Sequence, residues 1–443
     1  MSSEKRARLK QWLESGEARL EPLTFPQREL AEATPVPLGD PANHICSLIT
    51  LHGRLTSQDC ENIMLRVVER QEALRTSLLP GRDGALQMIR RSVSEPNLRF
   101  SDLPATEELE ARAQEVFREP FDLVGGPLYR AEIMRRGPKD LVFAFSIHHA
   151  VADGWSLGIL VRELAHAYAQ KLLGRWAKSL PPVALTYSAW GATERAAWQP
   201  VELERCAAFW KTTLAGASRL FPAQPDSPPG LDRWVTELPE KLPGAVRALA
   251  KRTGATLFST LLTAFQIALW RWRGAEDIVV GTPVANRQNP AARETIGYFA
   301  GVVPLRGQVE RDRTFAESLR AAHETSMDAF AHAMPFAELM RAVGDAPAPG
   351  HHPVFDVRFA LQNHPVPDIT LPMLSARLRM RSTGTARFHL GCEITERGSA
   401  MEVVWLSRPS LFSRDDIADL ARIFHAVLAG ACRSAESRIL SIV

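Results

Sequence analysis

The chain has 443 residues, 45% of them hydrophobic and 23% charged, which indicates a globular protein of two or three domains and excludes a disordered one. Its 53 basic and 50 acidic residues leave a net charge of +3 without a long basic run, so nucleic acid is not an expected partner. The five cysteines (Cys46, Cys60, Cys206, Cys392, Cys432) are scattered, form no CxxC pair and read as reduced thiols of a cytoplasmic protein. The N-terminal residues carry charges throughout and lack the apolar stretch of a secretory signal. No uncharged apolar run approaches the ~20 residues that span a bilayer, so no membrane partner is expected.

In chain order, Ser3 to Glu14 sets Leu9, Trp12 and Leu13 on one helical stripe, with Gly16 as a stop. A helix packed on its own domain is the simpler reading, and a docking helix for a partner is the alternative. Ser57 to Arg70 predicts a second helix, with Ile63, Leu65, Val67 and Val68 as apolar positions. Arg130 to Met134 and Leu141 to Ile147 predict strands joined by a turn at Arg136-Gly137-Pro138, and Leu157 to Leu173 a helix. From Leu180 to Arg233 the chain is rich in Pro, Ala and Trp, and Pro222 to Gly230 has the composition of an exposed linker. In the second half, Thr256 to Trp272 predicts an apolar helix and Asp277 to Pro283 a buried strand. Val354 to Leu361 and Met401 to Leu406 predict further strands, and Arg414 to Ala431 a closing helix. The expected fold is α/β: an N-terminal helix (1–18), a first lobe (19–180), a connecting segment (181–235) and a second lobe (236–443), with a cleft between the lobes.

The densest chemistry lies in SIHHAVADGWS, Ser146 to Ser156. Side chains alternate across a strand, so His148 and His149 point to opposite sides if the strand runs through both. That geometry disfavours one metal held by both rings, and no other His, Cys, Asp or Glu group has zinc-site spacing. A neutral imidazole suits proton transfer near pH 7, as acyl transfer to an amine or hydroxyl requires. A Ser-His-Asp hydrolase lacks its GxSxG elbow here. The competing structural reading makes both histidines hydrogen-bonded core residues and Asp153 a helix N-terminal charge.

HHAVADGWS resembles the HHxxxDG motif of nonribosomal peptide synthetase condensation domains, within the chloramphenicol-acetyltransferase-like superfamily. Further segments are similar to that family's in the same order. They are ERQEALRTSL (Glu69 to Leu78), PFDLVGGPLYRA (Pro120 to Ala131), LTYSAWGATERAAW (Leu185 to Trp198) and Ala255 to Arg287, which ends in GTPVANR. IGYFAGVVPLR (Ile296 to Arg306), HAMPFAELM (His332 to Met340) and HPVFDVRFALQN (His352 to Asn363) continue the series.

The resemblance implies a V-shaped pseudo-dimer of two acetyltransferase-like lobes with a central tunnel, entered by the phosphopantetheine arms of carrier proteins. It implies His149 as the catalytic residue, His148 as structural, and Asp153 paired with Arg287 as a brace. Gly154 would keep the tunnel open, Trp155 and Ser156 would seat the following helix, and Tyr298, Gly301 and Gln362 join them as tunnel candidates. Three segments depart from the pattern: LTFPQREL (Leu23 to Leu30) keeps Gln27 but little else of the first motif, Gly301 replaces a common asparagine, and His351-His352-Pro353 replaces Arg-Asn-Pro. The glycine is expected to open space near the active centre, and the histidine doublet puts that segment's salt bridges in doubt.

The implied activity is acyl transfer from a carrier-protein thioester to an amine or hydroxyl, with no bound metal or redox cofactor. With no adenylation or carrier segment attached, a monomeric free-standing enzyme served by a carrier protein in trans, or an excised domain, is expected. A coenzyme-A-dependent acyltransferase, an epimerisation domain and a non-catalytic carrier-recruitment module are the alternatives.

Overall fold

The computed structural model describes residues 3–34, 36–81, 84–103, 107–174, 181–222, 230–345, 352–362, 369–371, 374–384 and 387–442. The first half supplies β1 (Ala18–Pro22), β2 (His44–Gly53), β3 (Thr76–Leu79), β4 (Leu86–Arg90), β5 (Leu98–Asp102), β6 (Tyr129–Gly137) and β7 (Asp140–His148). Its helices are α1 (Ser3–Glu14), α2 (Phe25–Glu32), α3 (Ser57–Arg70), α4 (Glu107–Arg118) and α5 (Gly154–Leu172). Two helices, α6 (Tyr187–Ala197) and α7 (Pro200–Thr213), lead into the second half. That half contributes β8 (Asp232–Glu237), β9 (Asp277–Val284), β10 (Gly301–Gln308), β11 (Val357–Gln362), β12 (Ile369–Leu371), β13 (Leu374–Arg381), β14 (Leu390–Arg397) and β15 (Ala400–Ser407). Its helices are α8 (Leu242–Thr253), α9 (Leu257–Arg273), α10 (Phe315–Ala331), α11 (Phe336–Val343) and α12 (Arg414–Arg433).

The strands form two open six-stranded sheets and a small three-stranded one, the mixed α/β architecture expected from the sequence. In the first lobe the order is β12-β13-β2-β7-β6-β5. The near-continuous apolar run of β7 is explained by helices on both faces. Val142 and Ala144 pack toward Val116 and Phe117 of α4, while Leu141 packs with Cys60 and Ile63 of α3 and Tyr168 of α5. The second sheet runs β10-β9-β11-β14-β15-β8. Behind it lies α9, whose residues from Ser259 to Trp270 are all buried among the strands and α8, α10 and α12. No single helix among the described residues is long and apolar enough to cross a membrane.

Three expectations are corrected. The connecting segment 181–235 holds two helices. Alanine favours helix, Pro200 stands at the first turn of α7, where proline starts rather than breaks a helix, and Trp190 and Trp210 are buried anchors. Most of the expected Pro222 to Gly230 linker, residues 223–229, lies outside the described residues. The boundary at 236 fails for the β12–β13 hairpin, because β13 pairs antiparallel with β2 from Leu374↔Gly53 to Arg381↔Cys46. A hairpin from the second half thus completes the first sheet. The strand expected from Val354 begins only at Val357, since Val354 sits at φ +70° with its N–H held 2.8 Å from Asp345 Oδ2. A left-handed β-branched residue cannot belong to a strand and stores about 1–3 kcal/mol of strain.

The lobes also touch through helices. Between α2 and α11, Arg28 lies 3.9 Å from Glu338 and Arg341 3.5 Å from Glu32.

Candidate active site

The strand β7 ends on His148, and a single 3-10 turn, His149–Val151, follows before α5. The expected alternation required the strand to run through both histidines; the turn parts the rings instead. Both nitrogens of His148 are engaged by backbone. Nε2 lies 2.8 Å from the Leu38 carbonyl, to which it donates, and Nδ1 accepts from the Ala150 N–H at 3.1 Å. This fixes one neutral tautomer. Burial foremost, with the charges of His44 and Arg387, pushes its pKa down to about 4. A ring with no free nitrogen and no proton affinity at neutral pH is a structural post.

His149 shares the lowered pKa but not the hydrogen bonding. It is half-buried and packs edge-on against Tyr298, with ring centroids 5.1 Å apart. Its Nδ1 is buried with no hydrogen-bond partner among the described residues. Burial first, then Arg387 and His148, hold its pKa well below the usual histidine range. The result is a neutral imidazole with one uncommitted nitrogen.

Asp153 caps α5, accepting from the Ser156 N–H at 2.9 Å. Its other partners come from the loop between β9 and β10. Arg287 Nη2 lies 3.1 and 3.2 Å from its two oxygens, and the Phe299 N–H donates to Oδ2 at 3.2 Å. Arg287 also donates to the carbonyls of Ala292 and Thr295, each at 2.8 Å, and lies over the Phe299 ring at 3.9 Å. Both oxygens of Asp153 are thus engaged.

The loop from 285 to 300 carries the site across the lobe boundary. Its Ala292, Ile296, Tyr298 and Phe299 belong to the first lobe's core. Gln71 clamps it, donating to Glu294 O at 2.9 Å and accepting from the Ile296 N–H at 2.9 Å. The Tyr187 hydroxyl, 2.8 Å from the Thr24 hydroxyl, donates to Tyr298 O at 2.7 Å. Gly297 is needed at that contact, since a Cβ there would stand 2.3 Å from the Tyr187 ring. Gln27 ties α2 to the histidine turn, donating to Ala150 O at 2.8 Å.

The remaining candidates divide. Gly154 is the exposed first residue of α5. Trp155 is half-buried and donates to Arg293 O at 3.2 Å. Ser156 is buried inside the brace, 2.7 Å from Asp153 Oδ1, 2.9 Å from Gly297 O and 3.1 Å from Arg287 Nη2, so it lines no open space. Gly301 opens β10, and a Cβ on it would meet Asn286 Nδ2 at 3.0 Å. Asn286, at φ +48°, donates that amide to Phe299 O at 3.0 Å. The space expected at Gly301 is therefore filled by Asn286. Gln362 ends β11 half-buried. His352 is buried between Phe336 and Phe355, with its pKa pushed by burial to about 3; His351 and Asn363 lie outside the described residues. Among the described residues no three His, Cys, Asp or Glu side chains converge as a metal site.

Sequence reasoning passed over Gln71, Glu29 and Arg387. Gln71 stood inside a quoted segment without a role. Glu29 on α2 is buried, and its carboxyl is pushed up to about 8 by burial, against the pull of Arg387. Arg387 precedes β14, its charge acts on Tyr298, Glu29 and His149, and no quoted segment covered it.

The condensation-domain family matches residues 40–442. The chain belongs to that family. Over 435 residues it is 29% identical to a linear gramicidin synthase of Brevibacillus parabrevis, covering 95% of the chain and 8% of that protein. Over 417 residues it is 31% identical to phosphinothricin tripeptide synthetase PhsB of Streptomyces viridochromogenes, covering 90% of the chain and 35% of that protein. The chain thus spans a minor part of each. The condensation domain also shares its fold with the X-domain from teicoplanin biosynthesis (TM-score 0.84, 23% identity, 95% and 97% of the two chains). The first condensation domain of the calcium-dependent antibiotic synthetase, in complex with substrate analogue 3a, has the same fold (TM-score 0.77, 20% identity, 96% and 99%). Domains of this family work with carrier-protein domains in nonribosomal peptide synthesis and generally form amide bonds by acyl transfer.

Proposed function

We propose that this condensation domain joins an acyl group, held as a phosphopantetheine thioester on a carrier protein, to an amine or hydroxyl, with His149 as general base. The observation that carries the reading is the contrast between the two histidines: His148 has both nitrogens bound to backbone, while His149 presents a neutral imidazole beside Tyr298 whose Nδ1 has no hydrogen-bond partner among the described residues. The nucleophile attacks the thioester carbonyl and passes its proton to His149. The tetrahedral intermediate then collapses, its C–S bond breaks, and the imidazolium returns the proton to the departing thiolate. Asp153 and Arg287 hold the turn in place and touch no reacting atom.

The enzyme needs no resident cofactor on this reading, works in the cytoplasm as a monomer, and meets its carrier protein in trans. The acceptor supplies an amine or a hydroxyl, giving an amide or an ester. Intact-mass analysis tests this: acyl-loaded carrier protein should lose its acyl group to an added acceptor with the wild type and not with His149→Ala. Equal use of acyl coenzyme A would instead favour a coenzyme-A-dependent acyltransferase, and undiminished transfer by His149→Ala would overturn the assignment of the base.

A further inference from the structure

Thr24 caps α2 and Gln27 stands three residues further on, and each holds the other's backbone. The Gln27 N–H donates to Thr24 Oγ1 at 3.3 Å, and the Thr24 N–H donates to Gln27 Oε1 at 3.0 Å. A capping box of this kind ordinarily serves its own helix end, but here both side chains are buried and reach further. Gln27 Nε2 donates to the Ala150 carbonyl at 2.8 Å and to Gln87 Oε1 at 3.2 Å, while Gln87 is itself fixed by donating to Pro22 O at 2.9 Å. The Ala150 N–H donates to His148 Nδ1 at 3.1 Å. The residue that follows His149 therefore has both its polar backbone groups held by side chains. On the other side of the capping box, the Thr24 hydroxyl meets the Tyr187 hydroxyl at 2.8 Å, and Tyr187 donates to Tyr298 O at 2.7 Å. Since Tyr187 gives its one proton to Tyr298, Thr24 is the donor to Tyr187, and a lone pair of its oxygen serves Gln27. One helix start thus touches the turn that carries the proposed base. Through Tyr187 it also holds the backbone of the tyrosine whose ring packs edge-on to that base, at 5.1 Å between centroids. Gly191 shows how closely Thr24 is seated, for a Cβ there would stand 2.6 Å from Thr24 Cγ2.

We propose that Thr24 and Gln27 are positioning residues of the acyl transfer, fixing His149 against Tyr298 so that the imidazole meets the nucleophile in one orientation. Neither residue touches a reacting atom. His149 stands on the turn after β7 and Tyr298 on the loop between β9 and β10, so their relative placement depends on what ties the two segments together. The pair of Asp153 and Arg287 ties them on one side, at the start of α5. The capping box ties them on the other, at Ala150 and at Tyr298 itself. A base displaced by about 1 Å can lose on the order of 100-fold in rate, while binding of the carrier protein need not change. The inference rests on the acyl-transfer reading and adds the residues that aim its base.

The test uses the full chain with Gln27→Met, Thr24→Val and Tyr187→Phe, which keep bulk and remove hydrogen bonds, and with Thr24→Ser. Acyl-loaded carrier protein and an amine or hydroxyl acceptor give kcat and KM, measured well below the Tm of each variant. The first three variants should each lower kcat by roughly 10- to 100-fold and leave the KM for the acyl carrier protein within about twofold. Thr24→Ser should recover most of what Thr24→Val loses, because the hydroxyl returns. Gln27→Met combined with Tyr187→Phe should lose less than the product of the two single effects, as members of one unit do. A second readout needs no turnover. In protein labelled with 13C in its histidine rings, the His149 resonance is identified by its absence from His149→Ala, and its shift from the Tyr298 ring current by Tyr298→Leu. In Gln27→Met that resonance should move toward its Tyr298→Leu position. A merely structural Gln27 would lower Tm while kcat and the His149 resonance keep their wild-type values, and that result overturns the proposal. A rise in KM without a fall in kcat, or a Thr24→Ser variant no better than Thr24→Val, does the same. Should Gln27→Met fail to fold, Thr24→Val and Tyr187→Phe decide by the same measurements. A wild type that transfers no acyl group to any acceptor would instead overturn the acyl-transfer reading, and the His149 resonance would still decide whether the capping box positions the ring.

Discussion

Replacing Asp153 with alanine should inactivate the domain by unfolding its brace rather than by removing a proton carrier. The carboxylate and Arg287 are both almost fully buried, with side-chain exposures of 5% and 2%. Removing the anion leaves the Arg287 charge without its partner, a change that costs about 3–5 kcal/mol in buried pairs. It also removes the cap of α5, worth about 1 kcal/mol, and strands the Phe299 N–H. The expected loss is about 4–6 kcal/mol. At ~2 °C per kcal/mol for a cooperative unit of about 200 residues, this lowers Tm by about 8–12 °C. The double variant Asp153→Leu with Arg287→Met removes both charges and should recover several degrees of that loss, although the fixed turn is not restored. Thermal unfolding followed by circular dichroism, alongside single-turnover acyl transfer, measures both effects. A fully stable Asp153→Ala variant without activity would refute the argument and place Asp153 in the chemistry.

The His149→Ala variant should keep Tm within about 2 °C of the wild type and lose acyl transfer, since its Nδ1 makes no bond that folding relies on; a collapse of Tm would make the ring structural. Gly297→Ala drives a Cβ to 2.3 Å from the Tyr187 ring, whose hydroxyl is fixed at both ends, and should cost about 1–3 kcal/mol. Gly301→Ala, against the pliable Asn286 amide, should cost far less, and a reversed order of the two Tm values would contradict this packing. Glu29 has a raised folded pKa, about 8 against 4.5, so its contribution is present below pH 4.5 and lost as pH rises toward 8. Glu29→Gln should therefore gain stability relative to the wild type by about 1.4 kcal/mol per unit, about 4 kcal/mol between pH 5 and 8. A gap in Tm that stays constant with pH would refute it.

Much of this was legible before the structure. The helices at Ser3–Glu14 and Ser57–Arg70 fall where their apolar stripes place them, because amphipathic helices announce themselves locally. The two sides of β7 were implied by its uninterrupted apolar run. The β12–β13 hairpin was illegible: its partner β2 lies more than 300 residues away, and nothing local in LSARLRMR names it. The helices α6 and α7 were obscured by prolines that start structure instead of ending it. At the site, His148, His149, Asp153 and Arg287 came forward through a motif resemblance, and the structure brings all four to one corner. Gln71 did not, because a side chain that bridges segments more than 200 residues apart leaves no spacing to read. The error at Gly301 had a definite cause: a missing side chain in sequence is a void only if no neighbour leans into it, and Asn286 does.

The hairpin that completes the first sheet also bears on how the protein can be divided. A fragment ending before residue 236 would carry β2 with one long edge stripped of its hydrogen-bonding partner, and an unpaired edge of eight registered residues invites association with other chains. A fragment of the second half would in turn carry an orphan hairpin with no sheet to join. Each half made separately should aggregate, and the two co-expressed from separate genes should find each other, the exchanged strand acting as the clasp.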